Sequence, residues 1–191
     1  IFYIWCFKSC PIKTFVEKII LKGNLREPQQ MILDFLEGKK ITNFKHLIKA
    51  PTGIGKRICI IICILFQKKN YGNLRCVLAA PKNDIYGDKA KKEYQYLELI
   101  GIKVIDGTHG NFKKIKKQLS KYSSYLLITT HQALALDKNY EKIDIDFLIY
   151  DEVHYITGET LYKKIQDNLP RHLLGVSATP YTGDKEQNRK M

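Results

Sequence analysis

Short apolar segments recur along the chain: FKHLIKA at 44–50, CVLAA at 76–80, IKVID at 102–106, YLLITT at 125–130, DFLIYD at 146–151 and LLGVSA at 173–178. They lack strict alternation of apolar and polar positions, the pattern of strands whose two faces are both covered by helices. Between them, helices are predicted over 56–69, 88–99, 111–122 and 159–168. In the third of these, Phe112, Ile115, Leu119 and Tyr122 fall on one face, and Lys113, Lys114, Lys116 and Lys117 crowd the rest. A further helix is predicted from LREPQQMILDFLEG, with Pro28 tolerated in its first turn and Gly38 near its end. Strand and helix thus alternate, which predicts an α/β domain with a largely parallel central sheet and helices on both faces. In such a sheet, functional loops lie beyond the carboxyl ends of the strands.

Composition narrows the class without choosing a chemistry. The 191 residues are 45% apolar and 27% charged, as expected for one globular domain with a sizeable core. Lys and Arg outnumber Asp and Glu by 32 to 19, and the formal charge of +13 favours a polyanionic partner. The basic runs KAKK at 89–92 and KKIKK at 113–117 read first as wet helix faces. Cys6, Cys10, Cys59, Cys63 and Cys76 are an odd set without paired metal-ligand spacing, so reduced thiols in an intracellular protein are expected. The apolar runs IFYIWCF and ICIIICILF fall far short of the ~20 residues needed to cross a bilayer, so no membrane partner is expected. The chain begins at Ile1 and stops amid KEQNRKM, which suggests a piece of something longer.

The stretch APTGIGKR at 50–57 follows a predicted strand and precedes a strongly apolar helix. Phosphate-binding loops use glycines so that backbone amides can approach phosphate oxygens, and Lys56 would reach the β and γ phosphates. A plain glycine turn with a solvated lysine is the alternative. Ala50 replaces the first glycine of the general pattern, and Arg57 replaces the usual Ser or Thr. The second change is the serious one, because a guanidinium has no lone pair to offer Mg²⁺.

Asp151 and Glu152 follow another apolar strand. One carboxylate there suits Mg²⁺, directly or through water, and its neighbour suits the orientation of a nucleophilic water. Alternatively, the pair caps a following helix, since carboxylates favour helix N-termini.

Taken in order, APTGIGKR, DEVH at 151–154 and SATP at 177–180 resemble motifs I, II and III of superfamily 2 helicases of the DExH type. LREPQQ resembles the adenine-reading segment LRPYQ, although its Glu-Pro order differs. AAPKND at 79–84, GTHG at 107–110 and TTHQAL at 129–134 are similar to the strand-end loops that touch nucleic acid in that family. LLGVSATPYTGDK is similar to the LLGLTATPFRGD-like segments of restriction-type and viral DNA helicases.

The resemblance implies a RecA-like P-loop NTPase domain over residues 25–184, preceded by an extension at 1–24 and followed at 185–191 by the start of a connection to a second RecA-like domain. It implies ATP and Mg²⁺ as cofactors and nucleic acid, DNA rather than RNA, as partner. ATP would be held by Arg26, Gln29, Pro51, Thr52, Gly53, Ile54, Gly55, Lys56 and Arg57, with Asp151 on the metal. Lys56, Asp151 and Glu152 would form the catalytic set, and His154, Ser177, Ala178 and Thr179 would couple nucleotide state to movement. Pro81, Lys82, Thr108, Thr130 and Gln132 would contact the nucleic acid. The second domain would supply an arginine finger. Arg57 leaves open a protein that responds to nucleotide but hydrolyses it poorly.

Overall fold

The computed structural model describes residues 11–37, 43–51, 53–81, 88–108, 112–136, 143–153 and 170–178. Six strands form one sheet: β1 (Lys45–Lys49), β2 (Arg75–Ala80), β3 (Lys103–Asp106), β4 (Tyr125–Thr130), β5 (Phe147–Asp151) and β6 (His172–Ser177). Their order is β1-β6-β5-β2-β4-β3, and every pairing is parallel. The predicted strands appear within a residue or two of their expected places.

The helices are α1 (Ile12–Phe15), which runs into a π-helical turn at Val16–Leu21, α2 (Glu27–Leu36), α3 (Lys56–Tyr71), α4 (Asp88–Gln95), α5 (Phe112–Leu119) and α6 (His131–Leu136). The 88–99 helix changes at Tyr96 into a 3₁₀ turn ending at Ile100, where Gly101 takes a left-handed conformation. The predicted helix at 159–168 lies outside the described residues. Pro28 does fall in the first turn of its helix, where its missing N–H is harmless.

Both faces of the sheet are covered, and alternate strand residues show it. Leu78, Leu126, Ile128, Ile149, Leu174 and Val176 join one apolar cluster with α1, α2, α3 and the 3₁₀ turn. Val77, Ala79, Leu127, Leu148 and Tyr150 join the other, with Ile115 and Leu119 of α5. Ile12, Phe15 and Val16 are buried in the first cluster, so the segment before residue 25 packs on the same core. α3 explains its own position: residues 58–67 are all buried, as expected of a helix apolar around most of its girth.

Two local expectations need correction. FKHLIKA is not covered on both faces: its exposure alternates, with Leu47 41% exposed, because β1 is the sheet edge and pairs only with β6 among the described residues. Tyr122 lies beyond the end of α5 and is 40% exposed, since the helix stops at Leu119 before the fourth position of its apolar stripe. No helix of the described residues is long and apolar enough to cross a membrane.

Candidate functional site

The glycine loop leaves the carboxyl end of β1. Ala50 is buried, and its N–H donates to the Ser177 carbonyl at 2.7 Å, so the loop entrance is pinned to the end of β6. Gly53 and Gly55 hold φ of 87° and 84°, the left-handed region that a side chain disfavours. α3 then starts at Lys56, and its amino-terminal end gives the cavity wall a partial positive charge.

Arg26 and Gln29 clasp this loop from α2. The Arg26 guanidinium donates to the Gly53 carbonyl, and Gln29 Nε2 donates to the Ile54 carbonyl at 3.1 Å. Gln29 Oε1 accepts the Arg26 N–H at 3.0 Å, so the buried amide bridges a helix cap and the loop. A β-carbon on Gly55 would lie 2.5 Å from Gln29 Nε2, so a side chain here would have to displace that amide as well as adopt a left-handed φ.

Asp151 closes β5 and is buried; its Oδ1 accepts the Glu152 N–H at 3.0 Å. Glu152 has φ of 54°, a left-handed conformation costing about 1–2 kcal/mol in a residue with a side chain. That turn sends its carboxylate to Lys56, whose ammonium pairs with Oε1. Only β6 separates β1 from β5, a gap of about 10 Å at normal strand spacing, which a lysine at the helix start can cross.

Around this pair is a cavity of about 450 Å³ lined by Leu21, Asn24, Arg26, Gln29, Gly53, Gly55, Lys56, Arg57, Ile58, Glu93, Asp151 and Glu152. It thus collects the glycine loop, both acids and the Arg26–Gln29 clasp. Arg57 Nε is held at 2.8 Å by Glu93 Oε2 of α4. Sequence reasoning missed Glu93, Leu21, Asn24 and Ile58; DKAKKEYQ carries no pattern that separates Glu93 from a solvated helix face. A larger cavity of about 620 Å³, lined by Arg75, Lys116, Tyr125 and Asp146 among others, lies at the amino-terminal ends of β2 and β4. It contains none of the predicted site residues, and its Arg75 is already committed to Asp144 and Asp146 at 2.9 and 2.8 Å.

The donor set fits Mg²⁺ in a particular way. Among the described residues no cluster of three or more His, Cys, Asp or Glu could hold a metal by itself. One buried carboxylate, Asp151, beside an anion-favouring helix start is what Mg²⁺ uses when phosphates and waters complete its octahedron.

The remaining predicted residues that fall among the described ones lie along this edge of the sheet. Pro81 follows β2, Thr108 follows β3, Thr130 ends β4 and Ser177 ends β6. Ser177 is buried and Ala178 half-buried. TTHQAL, expected as a loop, is the end of β4 and the start of α6: the Thr130 hydroxyl accepts the Ala133 N–H at 3.0 Å, capping the helix. Gln132 is exposed on that helix, while the Thr108 hydroxyl is bonded to Asp106. Thr52, Lys82, His154 and Thr179 lie outside the described residues.

Solved structures with this architecture include the Pyrococcus furiosus Hef helicase domain, at 18% identity and a TM-score of 0.67 over 91% of this chain and 36% of that one. A Sulfolobus solfataricus SWI2/SNF2 ATPase core in complex with dsDNA matches at 19% identity and a TM-score of 0.66, covering 83% of this chain and 33% of that one. The UvsW helicase from bacteriophage T4 matches at 16% and 0.63, covering 87% and 56%. Identities this low speak to the fold. Among curated proteins, the putative helicase 109L of Invertebrate iridescent virus 3 is 26% identical over 140 residues, which is 72% of this chain and 40% of its own length.

An all-parallel sheet with a glycine loop and an acidic pair at one edge defines the class: this is an α/β domain with the RecA-like fold seen in those solved helicase cores. The family described as type III restriction enzyme, res subunit, matches residues 22–182, and the chain belongs to it.

Proposed function

We propose that the chain is the ATP-binding part of an ATP-driven nucleic-acid helicase or translocase, acting on DNA and hydrolysing ATP together with a second RecA-like domain beyond residues 185–191. The observation that carries this reading is the Lys56–Glu152 pair inside a cavity walled by the glycine loop and Asp151. A lysine for phosphates and a carboxylate for water then serve one triphosphate.

The phosphates would lie on Gly53, Gly55 and Lys56, with Pro51, Thr52, Ile54 and Arg57 as the rest of the ATP-binding loop and the adenine near Gln29 and Arg26. Lys56 would exchange Glu152 for the phosphates, which releases Glu152 to orient the attacking water. Asp151 would hold Mg²⁺, which when bound neutralises charge on the β and γ phosphates. His154, Ser177, Ala178 and Thr179 would pass nucleotide state to the strand-end loops; the bond from Ala50 to Ser177 supports such a link. Pro81, Lys82, Thr108, Thr130 and Gln132 would meet the nucleic-acid backbone, and the formal charge of +13 supports a polyanion there. The match to a core whose structure holds dsDNA supports DNA over RNA.

Equilibrium binding of a fluorescent ATP analogue, with and without duplex DNA, tests the reading. Binding that requires Lys56 and responds to DNA supports it; a wild-type protein that binds no nucleotide overturns it. One observation favours a second reading: Arg57 stands where the metal-binding hydroxyl is usual, as in a module that binds nucleotide and turns over poorly. A large gain in phosphate release from Arg57→Thr, measured with the second domain attached, would select it.

A further inference from the structure

Arg57 is unfavourable where it stands. It lies in the first turn of α3, where the helix dipole repels a cation, and that turn contains no acidic residue to offset it. It also lines the same cavity as Lys56 and Arg26, so three cations face one pocket. Three carboxylates line it too. Glu152 is paired with Lys56 and Asp151 closes β5, which leaves Glu93 as the partner of Arg57, with Nε and Oε2 2.8 Å apart.

Glu93 comes from a different helix, and its place is set by the core. The next residue, Tyr94, is fully buried and packs in the main apolar cluster with Leu97 and Ile100. α4 therefore cannot rotate Glu93 away without exposing Tyr94.

We propose that Glu93 is a positioning residue of the nucleotide site: it holds the Arg57 guanidinium aside so that Asp151 and the phosphates can share Mg²⁺ despite the missing loop hydroxyl. This rests on the ATP reading above. Freed from Glu93, the guanidinium lies within reach of the triphosphate and competes with the metal for the same phosphate oxygens. The pair thus replaces a hydroxyl ligand with a restrained cation, and the restraint is charge from a neighbouring helix.

The test is binding of a fluorescent ATP analogue to the full chain, titrated with Mg²⁺ or with EDTA present. Melting curves show in parallel that each variant is folded. Glu93→Gln should need about fivefold more Mg²⁺ for half-maximal binding, at the lower end of the coupling seen between interacting sites. Its affinity in EDTA should be unchanged or tighter. Glu93→Gln combined with Arg57→Thr should return the Mg²⁺ requirement to the wild-type value or below, because no cation remains to be restrained. An unchanged Mg²⁺ requirement in Glu93→Gln overturns the proposal, as does a double variant as impaired as the single one. Either result leaves the ATP site standing, whereas a wild type that binds no nucleotide under any condition removes both.

Discussion

Lys56 and Glu152 neutralise each other at the head of the cavity, although one starts the helix that follows β1 and the other follows β5, two strands separated by a third. The side chains are only 16% and 19% exposed, so the pair is more than a surface contact. On the proposed function, an incoming triphosphate would have to take the ammonium away from the carboxylate. Glu152→Gln should therefore bind nucleotide about twofold to fivefold more tightly, the span expected for losing a partly screened pair. Its DNA-stimulated phosphate release should fall about 10²-fold or more when a second domain is attached. Lys56→Ala should lose binding itself. Weaker binding by Glu152→Gln would show that the carboxylate serves the nucleotide rather than competing for Lys56.

The two loop glycines should differ. Gly53 has open space around an added β-carbon, so Gly53→Ala carries only the left-handed cost of about 1–2 kcal/mol. Gly55→Ala adds displacement of the Gln29 amide and loss of its bond to Ile54, about 1 kcal/mol more. Urea midpoints for both variants, each with and without Gln29→Ala, check this. The Gly55 and Gln29 changes should be less than additive, and full additivity would contradict the contact.

Stability should fall on mild acidification. Phe44 donates its N–H to Nδ1 of His172 at 3.1 Å, a bond that needs that nitrogen unprotonated. Burial, helped by the neighbouring Arg171 charge, holds the His172 pKa below its ordinary value, against the opposing pull of Asp146. The unfolded chain therefore takes up the proton first. Stability from this group is complete above about pH 6.5 and is lost as pH drops from there through the lower folded value. Asp146 extends the loss to greater acidity: burial raises its pKa, but hydrogen bonds from Arg75 outweigh it, so the folded value is depressed. Its contribution is present above about pH 4 and disappears below. Urea midpoints at pH 7.5 and 5.5 should differ in wild type and differ less in His172→Asn, whose side-chain oxygen can accept the Phe44 N–H at both pH values.

The described thiols should be unreactive in the native state. Burial pushes Cys59 up to about 11 and moves Cys63 and Cys76 well above the ordinary thiol range. At pH 8 roughly one Cys59 in a thousand is thiolate, and none of the three side chains is exposed. Alkylation at pH 8 followed by peptide mapping should leave all three unmodified until denaturant is added. Rapid native labelling of Cys63 or Cys76 would mean that α3 or β2 opens far more readily than its packing implies.

Much of this protein was legible as pattern. The six apolar segments became six strands because burial on both faces of a parallel sheet removes alternation, and FLIYD and CVLAA show it plainly. FKHLIKA misled for the same reason: an apolar run does not say whether its strand is central or at the edge. TTHQAL hid a helix because its cap, Thr130 to Ala133, is also a common turn pattern.

The sequence by itself determined the strand–helix alternation, the glycine loop, the acidic pair and the order of the three motifs, because periodicity and backbone conformational limits are local properties of the chain. Only the tertiary structure decided that β6 would bring β1 and β5 close enough for Lys56 to meet Glu152, that Gln29 would lock the loop, and that Glu93 would be the partner of Arg57. Those pairings join residues tens of positions apart, and their partners are chosen by how the layers pack, which no local spacing encodes.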